Sequence, residues 1–145
     1  MAGKGIKIVS WNINGIRAVW KKGIMEWILG DNADIICFQK QRRKDQLTDD
    51  IINIDGYESY FFCREKRIFR CCDLYTNQTA KVKAGLGNPD FDVEGRVIEM
   101  EFDDFVLFNV YFPNGGRGPE ELNISWTFMM NFLNVHRKSE RKRKM

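Results

Sequence analysis

Apolar and polar positions alternate along residues 5–12, where Ile6, Ile8 and Ser10 fall on one side of a strand and Lys7, Val9 and Trp11 on the other. Asn12–Gly15 breaks that pattern as a turn. Ile16, Val19, Trp20, Ile24, Trp27 and Ile28 then recur every three to four residues, which predicts an amphipathic helix. Gly23 weakens its middle, and Gly30 is the natural stop. Residues 33–39 are a short apolar run, read as a strand buried on both faces. Strand, helix, strand implies a crossover and parallel pairing.

Further on, Thr48-Asp49-Asp50 opens a short helix that ends by Gly56. Tyr57–Cys63, Phe69–Tyr75 and Lys81–Leu86 read as strands. Arg96–Phe102 alternates clearly, and Asp103-Asp104 turns it into Phe105–Phe112, which predicts a hairpin. A helix starts near Pro119. Its residues Leu122, Trp126, Met129, Met130 and Leu133 share one face, read as core packing. From Val135 onward the helix is expected to dissolve into a basic tail.

Composition adds bounds. The 145 residues are 43% hydrophobic, enough for one core, and the net charge is only +3. That total does not announce a nucleic-acid binder, but Lys40–Lys44 and Arg137–Lys144 concentrate positive charge. No signal peptide or bilayer-length apolar run is visible, so the expectation is a cytoplasmic protein off the membrane. Cys37, Cys63, Cys71 and Cys72 form no CxxC pair and point to free thiols in a reducing compartment, not to zinc.

Three strings carry candidate chemistry. Ser10-Trp11-Asn12-Ile13-Asn14-Gly15-Ile16-Arg17-Ala18 puts two carboxamides at a strand end, where open α/β structures gather ligands. Read alone, Asn14-Gly15 is an ordinary turn. Ala33–Lys40 closes the second strand with Gln39 and Lys40. The third, Phe108-Asn109-Val110-Tyr111-Phe112-Pro113-Asn114-Gly115-Gly116-Arg117-Gly118, combines glycines that permit close backbone approach with an Arg that can fork onto phosphate. By itself it also reads as a Pro-Gly loop with a buried Tyr. His136 sits among basic residues and is read as a solvated side chain.

Together these strings resemble the exonuclease III/AP endonuclease family of magnesium-dependent DNA repair nucleases. The resemblance implies the N-terminal half of a four-layer α/β sandwich of the DNase I type, built as one mixed sheet with flanking helices. It implies a partial domain over residues 1–134 and an off-pattern tail over 135–145. It assigns Tyr111 and Asn114 to the scissile phosphate, and Asn12 and Asn14 to the neighbourhood of a Mg²⁺ or Mn²⁺ ion. Lys40 stands where the family has a metal-binding Glu, and is not expected to ligate. Arg117, Gly116 and Arg17 are expected to contact DNA carrying an abasic site or a 3′ end. Arg96 is expected to be structural or mildly DNA-facing.

Departures qualify that reading. Residues 40–44 are unusually basic, 67–73 are off-pattern, and 135–145 match nothing in the family, a pattern expected from slips of the reading frame. Arg70 and Asp73 fall where small or apolar residues are expected, and burying either unpaired would cost several kcal/mol. The family's later catalytic strings are missing. The expectation is a truncated, inactive hydrolase with doubtful metal binding. The alternatives are a non-catalytic DNA-binding fragment and a half-domain that needs a partner chain. An uncovered sheet face, exposing residues such as Val106, Phe108 and Val110 or their neighbours on the opposite face, would favour self-association.

Overall fold

The computed structural model describes residues 5–13, 15–41, 47–62, 71–76, 78, 80–116 and 118–143. For 40, 41, 71–75 and 135–143 it describes the backbone only. The elements are β1 (Ile8–Asn12), α1 (Ile16–Trp20), α2 (Ile24–Asp31), β2 (Ile35–Gln41), α3 (Asp49–Ile52), β3 (Glu58–Phe62), β4 (Cys71–Thr76), β5 (Lys81–Ala84), α4 (Pro89–Asp92), β6 (Val97–Glu101), β7 (Val106–Val110) and α5 (Pro119–Arg143).

β1 and β2 pair in parallel, with Ile8 opposite Ile35 and Asn12 opposite Gln39, as the crossover implies. The helix between them is two helices. Gly23 takes φ 83, a left-handed conformation that ends α1's turn and starts α2. α2 runs one residue past Gly30, to Asp31, and ends where Asn32 adopts φ 49. Asn tolerates that region better than other non-glycine residues.

The fold is α/β, but its strands form two sheets, not one. The first has the order β1-β2-β4-β3 and the second β5-β6-β7. Alternation along the strands explains why. In β6, Ile98 and Met100 point one way and pack with Ile35 and Cys37 of β2 between the sheets. Val97 points the other way, with Phe108 and Val110 of β7, and packs on Phe128 and Phe132 of α5. A strand with two apolar faces needs cover on both. Ile36 and Phe38 of β2 supply the third interface, packing outward on Ile16, Ile24, Ile28 and Ile51. Four layers result: helices, sheet, sheet, helix. Phe108 and Val110 are therefore covered, contrary to the expectation of an exposed face.

Two further expectations for α5 are corrected. Phe128 is buried on the sheet, while Leu122, Trp126, Met130 and Leu133 face outward. Edge-on aromatic contacts of Phe128 with Phe91 and Phe112, and of Phe132 with Phe108, fix which side is down. The backbone also stays helical from Val135 to Arg143. Lys and Arg are good helix formers, and positive charge suits a helix C-terminus.

The off-pattern blocks are partly outside the described residues, as are 42–44, 67–70 and the Arg70 position. The backbone of Asp73 lies in β4, opposite Phe38 and Phe61.

Candidate functional site

The carboxyl ends of β1, β2 and β7 converge. Parallel register sets Asn12 beside Gln39, and Ile13 N donates to Gln39 O at 3.2 Å. Gln39 faces the space between the sheets and is buried. Its Nε2 donates to Ser10 Oγ at 3.0 Å and to Asn109 Oδ1 of β7 at 2.7 Å. Asn109 Nδ2 donates to Phe38 O at 3.1 Å. This chain of amides pins the two sheets at one point. Buried amides without partners would cost about 1–3 kcal/mol each, so the network makes the register of β7 over β2 specific.

Gln39 and Asn109 are the residues that sequence reasoning passed over. The signal was present: Asn109 interrupts an apolar strand at an inward-facing position, and a buried amide there needs a partner.

Lys40 follows Gln39 at a register shift. Gln39 pairs with Cys72 and Gln41 with Cys71, which leaves Lys40 as the extra residue of a bulge. Bulges bend a strand and re-aim what it carries.

Tyr111 leaves β7 two residues beyond Asn109 and is held by Arg96. Tyr111 N donates to Arg96 O at 2.8 Å, and Arg96 Nη1 donates to Tyr111 O at 3.0 Å. The guanidinium carbon lies 5.4 Å from the centre of the Tyr111 ring, within cation–π range. Arg96 Nε donates to the Glu94 carboxylate. At 1% exposure Arg96 is a structural residue, and the DNA-facing alternative does not stand.

The remaining described site residues lie apart, in the loop after β7 and in α1. Asn114 is exposed, and its Oδ1 accepts from Gly116 N at 3.1 Å, a turn closed by its own side chain. A Cβ on Gly116 would come within 3.2 Å of that oxygen. Ser125 Oγ of α5 donates to Pro113 O at 3.1 Å and anchors the loop on the helix. Arg17 is exposed in α1, just after the β1 turn. No hydrogen bond among the described residues joins Asn114, Gly116 or Arg17 to Asn12. Asn14 and Arg117 lie outside the described residues.

The donor set does not fit a hard divalent cation. The runs Ser10–Gly15, Phe38–Lys44 and Phe108–Gly118 contain no Asp or Glu. Among the described residues no group of three or more His, Cys, Asp or Glu could hold a metal ion. Magnesium is held by one or two carboxylates with water and phosphate oxygens. Here the described strand ends offer neutral amides. Both Nε2 hydrogens of Gln39 are taken by Ser10 and Asn109, so at this end it is the exposed Asn12 that can offer an amide N–H to an anion.

No protein-family model matches the chain. It is similar to an apurinic/apyrimidinic-site endonuclease of Dictyostelium discoideum, 32% identical over 126 residues that make up 81% of this chain and 33% of the relative. It is also similar to an exodeoxyribonuclease of Bacillus subtilis, 33% identical over 120 residues, or 81% of this chain and 47% of the relative. Among solved structures, a 3′ phosphatase from Neisseria bound to a product DNA hairpin shares the fold with a TM-score of 0.77 at 20% identity. That match covers 94% of this chain and 53% of the other. The chain thus spans less than half the length of the two relatives and about half of the solved structure. Shared sequence over four-fifths of its residues, on a shared fold, places the chain in the exonuclease III/AP endonuclease family of DNA repair nucleases, matched over only part of that family's length.

Proposed function

We propose that this chain is a DNA-binding part of an exonuclease III/AP endonuclease-type protein, and that it binds phosphate without hydrolysing it. The family's reaction is hydrolysis of a DNA phosphodiester beside an abasic site or at a 3′ end, with a divalent metal. The observation that carries our reading is the chemistry of the converging strand ends, where Asn12, Gln39 and Lys40 stand and no carboxylate is supplied.

Electrostatics decides the sign. Two unit charges about 4 Å apart interact by roughly 4 kcal/mol at an effective dielectric near 20, and a dication doubles that. A Lys in place of a metal-binding Glu turns an attraction of that size into a comparable repulsion. The same Lys attracts a phosphate. Arg17, Lys21 and Lys22 are all exposed around α1 and extend the positive surface beyond the β1 turn. Asn114 and Gly116 supply a loop whose backbone a phosphate can approach, and Tyr111 borders it. The buried free thiol of Cys37 suits the reducing cytoplasm in which we place the protein.

The test is a duplex carrying one abasic site, incubated with the purified chain and Mg²⁺. Expected is binding that weakens with salt, each phosphate contact contributing about 0.9 to the slope of log K against log salt. No nicking is expected, and Lys40→Glu alone does not create it, because a single carboxylate leaves water activation and charge stabilisation unprovided. Magnesium-dependent nicking by the unmodified chain would refute the proposal.

A further inference from the structure

Positive charge in this chain is concentrated at one end of one helix. Residues 135–145 hold six Lys and Arg against one Glu, a net of +5, while residues 1–134 hold 17 Lys and Arg against 19 Asp and Glu. The body of the molecule is therefore acidic, and the overall +3 comes from this segment. Long-range attraction to a polyanion has its source there. The backbone of α5 stays helical through the segment as far as Arg143. The course of α5 takes these turns away from the strand ends. Ser125 Oγ donates to Pro113 O at 3.1 Å, which sets the first turns on the loop after β7. Phe132 then meets Phe108 edge-on at 5.3 Å, so the helix runs back along β7. At 1.5 Å per residue, position 141 stands roughly 24 Å from Ser125 along the axis.

Helix stabilisation does not account for all of this charge. A helix C-terminus favours cations within its last turn, which takes in Arg141, Lys142 and Arg143 but not Arg137 and Lys138. Glu140 is the one acid in the segment with which any of them can pair along the helix. A bilayer surface fits poorly as well. Steps of four and three residues put positions 137 and 141 in line with Leu122, Trp126, Met130 and Leu133, which are exposed. A helix that lies in a membrane keeps its cations on the face away from its apolar one. Here one line turns from apolar to cationic. Positions 138 and 142 make a second cationic line, about 100° further round.

We propose that the last turns of α5 are a second phosphate-binding surface, carried by Arg137, Lys138, Arg141 and Lys142, which takes the backbone of duplex nucleic acid without reading base or damage. The choice of ligand rests on the DNA-binding reading above, whereas the location does not. Arg can fork onto phosphate oxygens and Lys meets them as a point charge, and neither carries sequence information through such contacts. The surface supplies encounter and non-specific holding, and the strand ends lie apart from it.

The test is fluorescence anisotropy of the 145-residue chain on an undamaged duplex across a salt series, beside the same duplex with one abasic site. Arg137→Gln combined with Arg141→Gln removes two contacts and keeps good helix formers. Expected is a drop of about 1.8 in the slope of log K against log salt, equal on both duplexes. Lys81→Gln combined with Lys83→Gln, on β5, removes the same charge elsewhere and should leave the slope unchanged. Arg137→Lys combined with Arg141→Lys keeps the charge and should bind as the unmodified chain does. A slope that the α5 Gln pair does not move, or that both Gln pairs lower equally, overturns the proposal. So does loss of binding in the Lys pair, or absence of binding to the undamaged duplex. Tighter retention on vesicles of phosphatidylserine and phosphatidylcholine than on either duplex at the same salt, lost in the α5 Gln pair, would replace it with a lipid surface. Failure at the strand ends shows separately, as Mg²⁺-dependent nicking by the unmodified chain.

Discussion

At the scale of single residues, the amide chain Ser10–Gln39–Asn109 does more than any charged group among the described residues to define the site. It joins the two sheets where the strand ends converge, and Gln39 and Asn109 are buried in it. Asn109→Ala removes the partner of both Gln39 Nε2 and Phe38 O, and we expect a loss of about 2 kcal/mol in urea unfolding. A loss no larger than that of an exposed surface substitution would show that water replaces the bond. Cys37 gives a second residue-scale prediction. Burial alone pushes its thiol from 9.0 up to about 12. A raised folded value favours the neutral form, so its contribution to stability is full below the ordinary thiol range. That contribution is lost as pH rises toward 12. Stability should therefore fall above about pH 9, and Cys37→Ala should flatten that fall, although Tyr57, raised by burial and then by Asp34 and Asp31, and Tyr60, raised by its hydrogen bond to Glu58 and then by burial, contribute to it at higher pH. In the native protein at pH 8, mass spectrometry should find Cys37 alkylated only at the rate of unfolding.

At the scale of elements, local sequence was legible wherever one residue type answered one geometric need. The β1–β2 crossover, the β6–β7 hairpin and the start of α5 at Pro119 all appeared as read. The misreadings have physical causes. Gly23 was seen as a weak point in one helix, but its positive φ makes it a true break. Gly23→Ala has open space for its Cβ, with only Glu26 Oε2 at 3.9 Å, so the backbone alone sets the penalty. A thermal melt should show a loss of about 1 kcal/mol. In α5 two apolar stripes compete for the core, and periodicity ranks them equally. Neighbouring aromatics decide between them. Phe128→Ala should cost about 3–5 kcal/mol in denaturant unfolding, as for a fully buried ring. Trp126→Ala should cost less than about 0.5 kcal/mol in the isolated chain. The reverse order would restore the stripe expected from the sequence.

At the scale of the whole molecule, the layering was half legible. The strings around Asn12, Lys40 and Tyr111 pointed to the right family. Whether the later strands join the first sheet or make their own depends on long-range packing, of Ile98 and Met100 against Ile35 and Cys37, which no local pattern encodes. The exposure of Ile8 was likewise invisible, because it depends on which strand stands above it. The site itself was legible as strings and illegible as contacts: Asn114 bonds its own loop, and Arg96 serves Tyr111 and not DNA. What remains central is the charge at the strand ends. Mn²⁺ can stand for Mg²⁺ and broadens the NMR signals of nuclei near it, so titrating it into isotope-labelled chain reads the site directly. We predict no saturable broadening at Asn12, Gln39 or Asn109. Selective, saturable broadening of those three signals, competed away by Mg²⁺, would contradict the account.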